Sequence, residues 1–253
     1  MTRVYILIEK HIVCGTDMKR VSVRARNANQ LFRKICRVLV EQGEKRVARG
    51  LETVELADAY LVLKDPTKSM VTLPARVGNS DRCRKYLEAE FGWYLSGDLS
   101  VMEISKHARF WRTLADGEGK VNSNYGFLAL YEQVEGISQL EWCIRRLRED
   151  PQTRQAVINY NQPRHKQEGT KDFVCALSQQ FIVRNGRLDS VVMMRACDLI
   201  WGLTYDMPWF TYLQERVSSE TSIPLGEYIH VATSLHVYSR HYGMMRKIAG
   251  VGE

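Results

Sequence analysis

Several signatures that would settle a function class are missing from this sequence. Its six cysteines, at positions 14, 36, 83, 143, 175 and 197, include no CxxC pair. That argues against a disulfide framework and a zinc site, and leaves reduced thiols as the plain reading. The six histidines show no HExxH spacing, so no metal is expected. No apolar run is long enough to cross a bilayer, and Met1 to His11 lacks the apolar core and cleavage site of a secretory signal. A cytoplasmic protein without a membrane partner is therefore expected. Repeats, low-complexity tracts and linkers are absent too. The basic residues are scattered rather than gathered in a tail, which argues against a nucleic-acid-binding arm.

What is present is an ordinary globular balance with an excess of one charge. The 253 residues carry a formal net charge of +7, pointing to an anionic partner such as a nucleotide or another phosphorylated molecule. Strand patterns lie at Val4–Ile8, Val21–Arg26 and Thr53–Leu63. Between the last two, Leu31, Ile35, Val38 and Leu39 fall at helical spacing over Asn29 to Gln42, with Gly43 as the stop. Further helices are predicted over Asp81–Leu95, Leu99–Leu114, Gln139–Arg148 and Met207–Val217, with a last one near the end. Strands are predicted at Gln155–Tyr160 and Tyr228–Val237, and a polar surface loop over Gln162–Asp172. Phe173–Val183 and Leu188–Arg195 flank Asn185–Gly186, a strong hairpin signal. One α+β domain spanning residues 1–253 fits this order.

Some residues stand out chemically. Glu90 has Tyr86, Leu87, Trp93 and Tyr94 three or four positions away, so a carboxylate sits within an aromatic helix face. It is either an edge residue reaching water or a carboxylate held in a low-dielectric pocket for proton transfer. Cys175 is a small buried hydrophobe or a nucleophile. Symmetric pairing about Asn185–Gly186 sets Cys175 opposite Ala196 and Ala176 opposite Arg195, placing Arg195 on the wrong face to meet the thiol. For the two to share a site, the hairpin must contain a bulge or bend. Asp206, just before Met-Pro-Trp-Phe, reads on structural grounds as a helix cap. His230, Ser234, His236 and Tyr238 share one face of the last strand, which is either solvated or lines a pocket. Arg49 and Arg154 lie in turns where arginine usually faces solvent.

In order and spacing, these segments resemble the thymidylate synthase superfamily. Glu90-Phe-Gly-Trp-Tyr-Leu-Ser-Gly-Asp98 resembles its glutamate-bearing helix, and Trp111 through Asn124-Tyr125-Gly126 the stretch reaching an active-site tyrosine. Leu147 to Arg154 resembles the phosphate-binding turn given by a partner subunit. Cys175 with Gln180-Phe181 resembles the nucleophile strand, Arg195-Ala-Cys-Asp198 with Gly202 the phosphate, base and folate motif, and Ser234 to His241 the sugar-binding strand. The likeness runs from about Arg49 to His241, and residues 1–45 carry no motif of the family. Within the superfamily, Asn122 to Gly126 and Ser234 to His241 are most similar to the cytidylate hydroxymethylase branch.

The resemblance implies a mixed β-sheet covered by helices in an obligate-type dimer. It also implies 5,10-methylenetetrahydrofolate as co-substrate and hydroxymethylation at C5 of a cytidine 5′-monophosphate. Cys175 would be the nucleophile, with Glu90 and Tyr125 beside it. Asp206 stands where thymidylate synthases carry Asn. An amide matches uracil, whereas a carboxylate accepts from cytosine N4–H and from a protonated N3. Arg195, Arg49 and a partner's Arg154 would hold phosphate, with His236 and Tyr238 on the sugar. Trp111, Asp198 and Gly202 would lie at the folate, Asp198 also at the base. Ala196 stands for a serine and Gln155 for an arginine of the family pattern, and Arg246–Glu253 does not resemble its apolar closing tail. Ala176 stands where the family has His, and the room this leaves is read as favouring CMP over dCMP. Methylation, or use of a uracil nucleotide, is the alternative; a nucleic-acid-binding protein is a remote one.

Overall fold

The computed structural model describes residues 21–48, 50–73 and 80–251. The predicted strand Val4–Ile8 and the candidate Arg49 lie outside them. Strand β1 (Ser22–Ala25) leads into helix α1 (Ala28–Gln42). Asn27 caps α1 by accepting from the Gln30 N–H, and Leu31, Phe32, Ile35, Cys36 and Leu39 form its buried stripe. Gly43 ends it where a Cβ would come within 2.2 Å of a Val54 methyl, so the close turn into the sheet requires glycine. Then follow β2 (Glu44–Ala48), β3 (Leu51–Leu63), α2 (Ser80–Ser96), α3 (Ile104–His107) and α4 (Trp111–Leu114). The short hairpin β4 (Gln133–Val134) and β5 (Ile137–Ser138) precedes α5 (Gln139–Glu149) and β6 (Val157–Asn159). The chain continues through β7 (Ala176–Arg184), β8 (Arg187–Met194), β9 (Cys197–Asp198), α6 (Thr204–Thr221), β10 (Leu225–Tyr238) and α7 (Tyr242–Ala249).

The central mixed sheet runs in the order β1-β3-β10-β8-β7-β6, with β2 paired to β3 and β9 to β10. Its two faces differ sharply. The cross-strand row Leu61, His230, Val192, Gln179 and Ile158 is fully buried beneath the helices. Gln179 reaches from this face to the Phe210 carbonyl of α6 at 2.9 Å. One residue along each strand, the row Tyr60, Val231, Met193, Ser178 and Asn159 faces the other way. There Tyr60 is 42% and Met193 45% exposed. Among the described residues, no helix covers the middle of this row.

The stretch expected as one helix over Leu99–Leu114 is instead two single turns, α3 and α4, separated by an extended Ala108. Its start is drawn into strand-like pairing, with Val101 N–H bonded to the Gly119 carbonyl and Val121 N–H to that of Leu99. Helix α6 begins three residues before the expected Met207, because a π-helical turn at Leu199–Leu203 feeds into it. The strand expected over Gln155–Tyr160 narrows to Val157–Asn159.

Candidate active site

The hairpin that carries Cys175 turns on Asn185 and Gly186, both at positive φ (51° and 70°), so a type I′ turn fixes its register. Pairs run regularly from Arg184–Arg187 to Ser178–Met193, and then Ala176 pairs with Met194. Leu177 is the extra residue of a β-bulge. The slip moves Arg195 onto the face of Cys175, whose carbonyl accepts from the Arg195 N–H at 3.0 Å. The guanidinium then lies against the thiol. Its Nη2 is 3.3 Å from the Sγ and its Nε 3.1 Å from the Val174 carbonyl, while a further bond from Nη2 reaches the Phe173 carbonyl. The bulge that the sequence required is present.

Tyr125 stands behind this pair, its buried hydroxyl accepting from the Ala176 N–H at 3.4 Å. Two anchors hold it there. Asp172 accepts from the backbone N–H groups of Asn122 and Ser123, each at 2.7 Å, and from the Ser123 hydroxyl. Asn124 donates to the carbonyls of Trp93 (3.1 Å) and Asp98 (2.8 Å). Gly126 follows where a Cβ would sit 1.8 Å from the Tyr94 carbonyl oxygen, so only glycine lets this segment lie on α2.

Glu90 is no edge residue. It is 5% exposed, and burial pushes its carboxyl up to about 7 against the lowering effect of a hydrogen bond from Tyr86. Asp206, too, differs from the cap expected of it. The α6 cap position is Leu203, and Asp206 sits inside the first turn without capping a backbone N–H. Among the described residues its carboxyl has no hydrogen-bond partner. Burial pushes it well above the usual carboxylate range, and the charges of Glu90 and Asp198 add to the shift. The phenol of Tyr125 is raised by burial and by the charges of Asp206 and Cys175.

Asp198 caps the π turn through Oδ1, accepting from Ile200 N–H at 2.8 Å, and pairs across β9 and β10 with His236. The His236 and Tyr238 rings meet edge-on at 5.2 Å and are partly open to solvent, as a pocket wall requires.

Residues 30–249 match the family model described as thymidylate synthase. The chain belongs to the thymidylate synthase family. As a member it is a one-carbon transferase acting on pyrimidine nucleotides, and the family implies methylenetetrahydrofolate as co-substrate. The chain is 29% identical over 216 residues to a deoxycytidylate 5-hydroxymethyltransferase of Enterobacteria phage T2, covering 81% of this chain and 83% of that protein. The namesake of phage T4 is 29% identical over 76% of this chain and 78% of its own. A deoxyuridylate hydroxymethyltransferase of Bacillus phage SP01 is 27% identical, covering 88% of this chain and 61% of that protein.

Within this thymidylate synthase fold, Cys175, Arg195, Tyr125, Glu90, Asp206 and Asp198 converge, with His236 beside Asp198. Arg154 does not join them. It is exposed at the edge of the open sheet face, where its carbonyl accepts from the Gln180 side chain at 3.0 Å. Ala176 is fully buried, its methyl meeting no open space. Trp111 is mostly buried and turns its indole N–H to Tyr86 at 3.0 Å. The sequence reading passed over Trp201, whose indole is 43% exposed, donates to His241 at 2.9 Å and lies nearly parallel to Tyr205. It also passed over Tyr86 as a site residue and over Asp172. Nothing in pattern or spacing marks these three, since their roles come from contacts distant in the chain.

Proposed function

We propose that the protein hydroxymethylates C5 of a cytidine 5′-monophosphate. The observation that carries this reading is Asp206, a carboxyl beside the thiol pocket with no hydrogen-bond partner among the described residues, whose proton affinity desolvation raises well above that of an ordinary aspartate. A neutral acid presents O–H and C=O side by side, matching the N3 acceptor and N4–H donor of cytosine. The Cys175 thiolate adds to C6, and the electron pair of the C5=C6 bond moves to C5 as Asp206 gives its proton to N3. The ionised Asp206 then accepts from both N3–H and N4–H, an arrangement a uracil edge cannot offer. Arg195 stabilises the thiolate and holds its place beside the ring.

The bound folate supplies a one-carbon unit at the oxidation level of formaldehyde. Trp201 offers an exposed aromatic plane for it beside Asp198 and Gly202. Once C5 has bonded to that carbon, loss of the C5 proton and breaking of the carbon–nitrogen bond would release tetrahydrofolate and leave an exocyclic methylene at C5. Glu90, poised near neutrality, takes a proton from water as the oxygen bonds to that methylene. The C6–S bond then breaks and the ring regains its double bond, leaving a hydroxymethyl group. Relatives named as deoxycytidylate hydroxymethyltransferases support this outcome.

Both sugars remain within the proposal. Those names favour dCMP, and the fully buried Ala176 presents no open surface to a 2′-hydroxyl. Two copies would pair through the open sheet face, bringing Arg154 of one to the phosphate of the other. A second reading, hydroxymethylation of a uracil nucleotide, is favoured by the deoxyuridylate relative; in its protonated form Asp206 could also pair with N3–H and O4.

Incubation with CMP, dCMP, UMP or dUMP plus methylenetetrahydrofolate, followed by mass spectrometry, tests all of this. A hydroxymethylated cytidylate is expected. Turnover of uracil nucleotides alone would remove the cytosine assignment, and a methyl product with dihydrofolate would remove hydroxymethylation.

A further inference from the structure

Glu90 does not stand alone in its pocket. One turn earlier on α2, the Tyr86 hydroxyl donates to Glu90 Oε1 at 2.6 Å. The same hydroxyl accepts from the indole N–H of Trp111 at 3.0 Å. An indole N–H can only donate, so Trp111 occupies the acceptor side of the phenol and the phenol's own proton must point to Glu90. The direction of the chain is thereby fixed: Trp111 to Tyr86 to Glu90. Tyr86 is itself held by an edge-on contact with Tyr205, ring centres 4.7 Å apart, next to Asp206 in the chain.

We infer that Tyr86 is a positioning residue for the reaction, occupying Oε1 of Glu90 so that Oε2 alone carries and delivers the proton. The inference rests on the function proposed above, in which Glu90 activates water. A carboxyl with two free oxygens can protonate on either, and in half of those states the proton faces away from the substrate. With Oε1 saturated by a phenol that cannot turn, the proton has one address. The hydrogen bond also stabilises the ionised carboxylate, offsetting part of the burial that raises Glu90. The other titratable groups that feel the charge of Glu90 are Tyr94 on its own helix and Asp206 on α6.

The test is a direct titration of Glu90 by difference infrared spectroscopy, subtracting the Glu90→Gln spectrum to isolate its carboxyl band. In the unaltered protein the midpoint is expected near about 7. In Tyr86→Phe, which keeps the ring packed on Tyr205, it should rise by about one pH unit, a roughly tenfold gain in proton affinity. Trp111→Phe keeps the phenol but frees its proton to turn, and should give a smaller rise. In turnover, the limb of kcat that rises with pH should move up by the same amount, with KM for the nucleotide unchanged. An unmoved midpoint in Tyr86→Phe overturns the inference, as does a loss of kcat equal at every pH. Should Tyr86→Phe not fold, an unmoved midpoint in Trp111→Phe overturns it in the same way. The infrared midpoint needs no turnover, so absence of hydroxymethylated product would count against the proposed function and leave this readout intact.

Discussion

Replacing Asp206 with asparagine should separate what the residue does for stability from what it does for the base. In the folded protein its half-buried carboxyl lies near Glu90 and Asp198 with no hydrogen bond among the described residues, and its proton affinity is raised. The unfolded chain ionises near the ordinary value of 3.8. Between that pH and its own raised value, the folded state therefore holds one proton that the unfolded state has released. Stability falls as pH rises across this window, by about 1.4 kcal/mol per unit for a full proton difference. An amide does not titrate. Asp206→Asn should melt close to the unaltered protein at pH 4 and increasingly above it until the folded carboxyl itself ionises. For a chain of this size the gap should widen by roughly 3–5 °C per unit. Turnover moves the other way. An amide cannot give N3 a proton or accept from two donors, and a mispaired buried polar group costs about 1–3 kcal/mol, or roughly 5- to 150-fold in kcat/KM for cytidylate. Differential scanning calorimetry from pH 4 to 8, beside kcat/KM for all four nucleotides, reads both effects. Undiminished cytidylate turnover, or a lower melting temperature at pH 8, would refute the reasoning.

Two further variants probe other parts of the site. Cys175→Ala should abolish exchange of the cytidylate C5 hydrogen with solvent, measured by deuterium incorporation; residual exchange at the original rate would remove the thiol from the mechanism. Gly126→Ala should destabilise the fold by about 3 kcal/mol or more, because its Cβ would sit 1.8 Å from the Tyr94 carbonyl oxygen and backbone must shift. Chemical denaturation measures the loss, and an unchanged midpoint would contradict the packing described for α2 and Tyr125.

The sequence carried the elements whose signals are local. The α1 stripe, the Asn185–Gly186 turn and the need for a bulge near Cys175 all follow from short-range patterns, and each is found in the structure. The bulge is instructive, since it was required by chemistry against the ideal register: a cation and a thiol on opposite faces cannot make one site. Elements that depend on distant pairing were not legible. Leu99–Leu114 has a helical pattern, yet a strand-like pairing with the segment around Gly119–Val121 overrides it. Asp206 looked like a cap because Pro208 follows it, but the π turn before it moves the helix start upstream and turns its carboxyl inward. Tyr86 was seen only as part of an apolar face, because the indole that fixes its hydroxyl lies 25 residues away.

The open sheet face and the isolated position of Arg154 call for an experiment on mixed subunits. Arg154 is exposed, and among the described residues its side chain has no ion-pair partner, so Arg154→Ala should fold normally. Its activity should nevertheless collapse if the guanidinium holds phosphate in a neighbour's site. Suppose Arg154→Ala and Cys175→Ala subunits, each inactive alone, are unfolded together and refolded at equal amounts. In a mixed pair, the site with an intact thiol receives an intact arginine from its neighbour, while the other site has neither. Random pairing makes half of the dimers mixed, each with one working site, so about a quarter of the unaltered activity should return. If Arg154 served its own subunit, a mixed pair would hold one site without thiol and one without arginine, and nothing would return. Recovery of activity therefore distinguishes a shared site from a self-contained one, whatever the nucleotide turned over.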